Sequence, residues 1–271
     1  MKNSRIAVQG LVLLGCGRMG SAMLAGWLEQ GLPPKSVWAV EPSPSDWLRS
    51  SGVHLSGALP EAPAVVLVAV KPQMMAEALP RLVSMGAGQT VFVSVAAGIT
   101  LRFFENHLGS RTPVVRAMPN TPAAIGQGIT AICGNAAAGR AALDEAETLL
   151  KAVGDVVQVG SEGDIDAVTG VSGSGPAYVF HLIETLAAAG VAQGLDPTIA
   201  MRLAKATVAG AGALAMQAEE TPEQLRVNVT SPNGTTQAAL EVLMNQKDGL
   251  PPLMMQTVAA ATTRAKELAN G

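Results

Sequence analysis

Short apolar runs punctuate the first 160 residues: Leu11 to Leu14, Val37 to Val40, Val65 to Val70, Val91 to Val95, Val114 to Ala117 and Ile129 to Cys133. Several are rich in Val with few polar interruptions, the pattern of strands buried on both faces. Between them, Ser21 to Gln30, Pro72 to Ser84 and Thr100 to Leu108 read as helices. The alternation predicts βαβ units and an α/β fold with a doubly wound sheet, whose ligand lies at the carboxyl ends of the strands.

Beyond Val159 the Val-rich runs stop and the pattern becomes helical: Asp164 to Val171, Pro176 to Gln193, Pro197 to Glu219, Pro222 to Val229, Thr236 to Asn245 and Pro252 to Ala269. Pro176, Pro197, Pro222 and Pro252 stand near the proposed helix starts, where a missing N–H costs nothing, and Gly194 and Gly271 fall at stops. A boundary near residue 160 follows, with residues 1–160 forming the α/β domain and 161–271 an all-helical one. Around Leu182 to Val191 the helices are apolar almost all round, which predicts cover from a second subunit and a homodimer or larger homo-oligomer.

Composition narrows the classes. With 48% hydrophobic and 14% charged residues, the chain of 271 can bury a large core. Its formal net charge of −3, with Lys and Arg scattered, offers no basic stripe for nucleic acid. The basic start Met1 to Arg5 leads into a broken apolar run and then glycines, so no signal peptide is expected. No uninterrupted apolar stretch reaches the roughly 18 residues of a membrane span. Cys16 and Cys133 make neither a disulfide framework nor a metal-ligand spacing, and they suit a reducing, cytoplasmic setting.

Gly15-Cys16-Gly17-Arg18-Met19-Gly20 is a G-x-G-x-x-G run between a predicted strand and a predicted helix. In that context Gly15 permits the turn, Gly17 admits a pyrophosphate to the backbone, and Gly20 lets the helix pack on the strand with its amino end toward the phosphates. About twenty residues on, Glu41 ends the second strand, where a carboxylate accepts from the adenosine ribose hydroxyls. That placement favours NADH, yet Ser43 and Ser45 can donate to a 2′-phosphate, so NADPH stays open.

Further signatures fall at strand ends. Val70-Lys71-Pro72 follows the third strand, with Lys71 able to face an anionic cofactor and Pro72 starting a helix; alternatively the pair is mere punctuation. Ala96 and Ala97 close another strand with small side chains that leave room for a nicotinamide. Asn120, in Met118-Pro119-Asn120-Thr121-Pro122, can serve a carboxamide as donor and acceptor or hold a turn. In the helical half, Ser174 and Gly175 open a helix with small residues. Ser231-Pro232-Asn233-Gly234-Thr235-Thr236 opens another, where hydroxyls and free N–H groups form a carboxylate cradle, with an ordinary N-cap turn as the competing reading.

GCGRMG, VKPQ, MPNTP, SGSGPAY and VTSPNGTT, in this order across essentially the whole chain, resemble the pyrroline-5-carboxylate reductases. The resemblance implies a Rossmann-like domain followed by a helical dimerisation domain, with the active site near the subunit interface. It also implies NAD(P)H as reductant, usually NADPH, and the last step of proline biosynthesis. It assigns substrate binding to Ser231, Asn233, Gly234, Thr235 and Thr236, with Thr236 at the ring nitrogen, and places Glu219 near the substrate. Two departures stand out. Asn233 replaces the first glycine of a usual Gly-Gly pair, a position Asn tolerates in the left-handed conformation, and the stretch Ser56 to Ala64 is short and lacks an asparagine that often contacts adenosine.

The chemistry needs little beyond positioning, because an iminium is already electrophilic. No dedicated base is expected. A β-hydroxyacid dehydrogenase shares the plan but needs a lysine acid/base where this chain has Val179, which cannot take a hydroxyl proton. A non-catalytic dinucleotide sensor would keep GCGRMG and lose the hydroxyls of Ser231, Thr235 and Thr236, which are retained. His54, His107 and His181 form no evident pair or triad.

Overall fold

The computed structural model describes residues 4–55 and 57–270. Met1 to Asn3, Ser56 and the expected helix stop Gly271 lie outside the described residues. The elements run α1 (Arg5–Gln9), β1 (Leu11–Leu14), α2 (Arg18–Glu29), β2 (Val37–Val40), α3 (Asp46–Ser50), β3 (Val65–Val68), α4 (Met75–Ala78), β4 (Val91–Ser94), α5 (Leu101–Leu108), β5 (Val114–Met118), β6 (Gly128–Gly134), α6 (Arg140–Leu150), β7 (Gly154–Gln158) and α7 (Asp164–Val168), followed by α8 (Gly175–Ala192), α9 (Pro197–Gln217), α10 (Pro222–Asn228), α11 (Thr235–Leu243) and α12 (Leu250–Asn270).

The sheet has seven strands in the order β2-β1-β3-β4-β5-β6-β7. Pairing from β2 through β5 is parallel, whereas β5 and β6 pair antiparallel, so β6 and β7 run against the rest. The chain leaves β1 toward one neighbour and returns on its other side, which makes the loop after β1 the topological switch point. Alternate side chains feed two cores. Leu11, Leu13, Leu67 and Val93 meet Met23, Trp27 and Leu149 on one face. Val12, Leu14, Val68 and Phe92 meet Leu79, Phe104 and Leu108 on the other. Each fully buried Leu or Phe contributes about 1.5–3 kcal/mol, which fixes the register by forbidding a one-residue slip.

Three differences from the sequence expectation have physical causes. The expected helix Pro72 to Ser84 is broken into a 3-10 turn Pro72–Met74, the single turn α4, and a 3-10 segment Leu79–Met85, because Pro80 cannot donate to the helical ladder. The strand β7 was not expected; it is an edge strand with mostly exposed positions, GDVVQ, and so lacks a buried apolar run. The helix expected over Asp164 to Val171 ends at Val168 and passes into a π-turn over Thr169–Gly173, where Thr169 Oγ1 donates to the Ile165 carbonyl at 2.8 Å.

Contacts divide the chain into a unit of Met1–Gly173 with Ala261–Gly271 and a unit of Ser174–Ala260. In the first, residue 160 falls between β7 and α7. In the second, α8 and α9 pack around a small core of Ala187, Ala200 and Ala204, with Ile183 and Met201 against it. Phe180, Leu182, Leu186, Ile199, Leu203 and Leu214 of α8 and α9 remain exposed in the single chain. By length and composition alone, α9 is apolar enough to cross a membrane, although Arg202 and Lys205 interrupt it.

Candidate functional site

At the switch point, the loop after β1 turns because Gly15 adopts φ +87° and donates its N–H to the Val40 carbonyl at 2.9 Å. A β-carbon at Gly20 would meet the Gly15 carbonyl oxygen at 2.5 Å, so α2 approaches the strand only with hydrogen there. At Gly17 the same β-carbon would meet nothing within 4 Å. Gly17 is also the N-cap of α2 and makes no side-chain cap hydrogen bond, so the cap offers the leading amides of the helix no acceptor side chain, with the helix dipole behind them. A cradle of backbone donors beside room that a methyl would fill fits a pyrophosphate.

Glu41 follows β2 and reaches back to this loop. Its Oε2 accepts from the Cys16 N–H at 2.8 Å, and its Oε1 accepts from the Ser43 N–H at 3.1 Å. Burial, and then the Glu41 carboxylate, push the Cys16 thiol up to about 11, so the sulfur is an inert packing group at neutral pH. Ser45 is the N-cap of α3, its Oγ accepting from the Leu48 N–H at 3.2 Å.

Past β3, Val70 and Lys71 precede the Pro72–Met74 turn, with Lys71 exposed at its N-cap position. Val70 lines a narrow cavity of about 80 Å³ with Val40, Pro42, Met74, Ala78 and Arg81. Beside it, Glu41, Trp38, His54, Leu59 and Arg81 line a larger cavity of about 370 Å³. Ala96 is buried after β4, and its N–H donates to Ser94 Oγ at 3.3 Å; Ala97 is exposed. Asn120 Oδ1 accepts from the Ile129 N–H at 3.0 Å and ties the loop after β5 to β6, so its carbonyl serves the turn. Gly173 lies close against the Met118 methyl at the end of β5.

In the helical unit, Ser174 is the N-cap of α8, and a β-carbon at Gly175 would meet nothing within 4 Å. The turn before α11 is held by the Gly234 N–H on the Ser231 carbonyl at 3.0 Å and by the Asn233 N–H on Gln237 Oε1 at 2.8 Å. Asn233 takes φ +58°, the left-handed conformation in which Asn substitutes for glycine. Gly234 caps α11 and makes no side-chain cap hydrogen bond, so the cap position offers the leading amides no acceptor side chain. An anion fits there on the same physics as at α2. Glu219 is exposed in the connection between α9 and α10.

Sequence reasoning passed over an ion cluster behind β5. Arg116, only 4% exposed, donates to Glu162 Oε1 at 2.8 Å and lies 3.7 Å from Asp166 Oδ1; the same Glu162 oxygen accepts from the Leu101 N–H at 2.7 Å. A lone Arg inside the run Val114-Val115-Arg116-Ala117 was the available signal, since a buried charge demands partners. Burial, and then Glu162, likewise push Cys133 up to about 11, with Arg116 opposing. Arg81 was also passed over, because nothing in its local sequence shows that the broken helix carries it to the Glu41 cavity.

Comparison with known proteins agrees with both halves. Residues 162–268 match the family model described as pyrroline-5-carboxylate reductase dimerisation, so the chain carries a dimerisation domain. Residues 10–98 match the model for NADP oxidoreductase, coenzyme F420-dependent. The chain is 39% identical to the pyrroline-5-carboxylate reductase of Pseudomonas aeruginosa, covering 96% of this chain and 97% of that protein. A solved pyrroline-5-carboxylate reductase from Coxiella burnetii superposes with a TM-score of 0.91 at 33% identity, covering 96% of this chain and 98% of that one. The Plasmodium falciparum pyrroline carboxylate reductase, crystallised with NADP bound, superposes with a TM-score of 0.83 at 26% identity, covering 99% of each.

Proposed function

The chain belongs to the pyrroline-5-carboxylate reductase family, and from that membership we propose that it reduces the ring imine of 1-pyrroline-5-carboxylate to L-proline with NADH or NADPH, in the cytoplasm and as a homodimer or larger homo-oligomer. The observation that carries the reading is a pair of helix starts, α2 at Gly17 and α11 at Gly234, neither capped by a side chain. One suits the cofactor's pyrophosphate and the other the imino acid's carboxylate. A dinucleotide sensor needs only the first.

The bound reduced nicotinamide supplies a hydride for the imine carbon. The protein's part is to hold, orient and protonate. Gly15 to Gly20 bind through main-chain amides, with Glu41 at the ribose and Lys71, between Val70 and Pro72, facing the anionic cofactor; Ala96 and Ala97 leave room for the nicotinamide, whose carboxamide Asn120 meets. The amides of Gly234, Thr235 and Thr236, with Ser231 and the left-handed Asn233, orient the carboxylate, while Ser174 and Gly175 give the ring space and Glu219 stands near the substrate. The Thr236 hydroxyl, directly or through water, relays to the ring nitrogen a proton taken from solvent, so that the hydroxyl is restored as its own proton leaves. Active sites near the subunit interface and the covering of Phe180, Leu186 and Leu203 by a partner subunit belong to the same proposal. Two unpaired thiols suit a reducing compartment.

The β-hydroxyacid dehydrogenase alternative is disfavoured by Val179, an aliphatic residue of α8 where that chemistry requires a base. Following loss of reduced-nicotinamide absorbance with pyrroline-5-carboxylate, separately for NADH and NADPH, tests the function. Consumption with either supports it, and consumption with neither removes it.

A further inference from the structure

The loop between β4 and α5 carries Ala96 and Ala97, and both of its ends refer to one buried side chain. At the first end, Ser94 closes β4 and lies in register beside Arg116 of β5. At the second, Leu101 opens α5 and its N–H donates to Glu162 Oε1 at 2.7 Å; the same oxygen accepts from Arg116 Nη1 at 2.8 Å. Signs alternate along this tie, from the positive amino end of α5 through the Glu162 carboxylate and the Arg116 guanidinium to the Asp166 carboxylate at 3.7 Å. Glu162 is not needed to start the helix, because Thr100 Oγ1 already caps it by accepting from the Phe103 N–H at 3.2 Å. Nor does packing call for a charge: Val114 and Val115 fill the same strand with apolar side chains. A buried arginine costs desolvation that an apolar residue avoids, so what it adds here is direction, one oxygen shared by two donors setting where α5 starts relative to β5.

We propose that Glu162, clamped by Arg116, is a positioning residue for hydride transfer: it fixes the start of α5 and with it the loop of residues 95–100 that gives the nicotinamide its place. The proposal rests on the reductase reading, in which Ala96 and Ala97 lie beside that ring. Glu162 touches neither nucleotide nor imino acid in this role and exchanges no proton. Asn120, the ring's other neighbour in that reading, follows closely on β5, the strand that carries Arg116. Loss of the tie leaves β3, β4 and β5 in register, since their ladder does not depend on it, and frees the loop alone. A misplacement of about 1 Å between reacting atoms costs about a hundredfold in rate. Nucleotide affinity, spread over the glycine loop and the second strand, responds far less.

The test is single-turnover oxidation of bound NADH and NADPH by pyrroline-5-carboxylate on the full-length oligomer, with ordinary and C4-dideuterated nicotinamide, alongside nucleotide dissociation constants and thermal unfolding. Glu162→Ala should slow the isotope-sensitive step about tenfold or more while each dissociation constant moves by less than about threefold. Should that variant not fold, Leu101→Pro removes the N–H and leaves the Arg116 to Glu162 pair whole; proline is admitted at a first helical position, and Thr100 before it is already extended at ψ 159°. Leu101→Pro should be about tenfold slower than Leu101→Ala, which trims the same side chain and keeps the N–H. Leu149→Ala, a cavity on the other face of the sheet, should lower the melting temperature and leave the isotope-sensitive rate as in wild type. A Glu162→Ala with wild-type hydride transfer overturns the proposal, as does a Leu101→Pro no slower than Leu101→Ala or a Leu149→Ala as slow as Glu162→Ala. Absence of wild-type turnover with either nucleotide would instead remove the reductase reading underneath.

Discussion

The carbonyl oxygen of Gly15 and the α-carbon of Gly20 are so close that a β-carbon at residue 20 would lie 2.5 Å from that oxygen, whereas two residues into the loop, at Gly17, it would meet nothing within 4 Å. The two glycines therefore fail differently. Gly20→Ala forces backbone apart from backbone, at about 1–3 kcal/mol, and should lower the melting temperature by several degrees. Gly17→Ala finds free space in the unliganded protein and should melt as wild type while weakening nucleotide binding about tenfold or more. Thermal unfolding with and without nucleotide separates them; a Gly17→Ala that binds normally would contradict the assignment of the open space.

Arg116 of β5 has Glu162 at 2.8 Å and Asp166 at 3.7 Å, and the buried Asp166 Oδ1 makes no hydrogen bond among the described residues. Removing the arginine leaves two carboxylates without their counter-charge, so Arg116→Ala should cost about 3–5 kcal/mol in urea unfolding at fixed protomer concentration. Asp166→Ala should cost far less, since its charge lacks the geometry that repays desolvation. A larger loss for Asp166 than for Arg116 would show that the cluster's stabilisation lies elsewhere.

What could be read from the chain and what could not follows the range of the interactions involved. Fully buried strands such as β1, β3 and β4 show as unbroken apolar runs, and the switch-point loop shows because its glycines answer constraints within six residues of one another. The edge strand β7 does not show, because its positions are mostly exposed. The Glu41 to Cys16 bond joins residues 25 apart and the Arg116 to Glu162 bond joins residues 46 apart, so each becomes visible only when the sheet brings its ends together. Asn233 was legible for the opposite reason: its left-handed φ is a local property of a turn whose sequence already lacked the usual glycine.

That turn yields a graded prediction. At φ +58° an L side chain other than Asn pays roughly 1–2 kcal/mol, so Asn233→Gly should keep or slightly raise stability, and Asn233→Ala should lower it and raise KM for the imino acid. Thr236→Ala should lower kcat/KM about tenfold or more while nucleotide affinity stays unchanged, and Thr236→Ser, which restores a hydroxyl, should recover most of the rate. Steady-state kinetics with separate nucleotide titrations distinguish these; an active Thr236→Ala would remove the hydroxyl from the proton-transfer step.

The thiol of Cys16 gives the pH-dependent prediction. Burial and the Glu41 carboxylate raise it from 9.0 to about 11, so its thiolate population at neutral pH is about a hundredfold below that of an ordinary thiol. Cys133 is raised to about 11 as well, mainly by burial. In each case the folded protein holds its proton after the unfolded chain has released it, so the thiol's contribution to folding stability is fully present below about pH 9 and is lost as pH rises toward about 11. Alkylation followed by peptide mass analysis should therefore find Cys16 slow at neutral pH and accelerating steeply above pH 9. Glu41→Gln, which removes the like charge, should shift that acceleration to lower pH at Cys16 and leave Cys133 where it was. An unchanged Cys16 profile in that variant would mean that burial alone raises the thiol and that the carboxylate adds nothing to it.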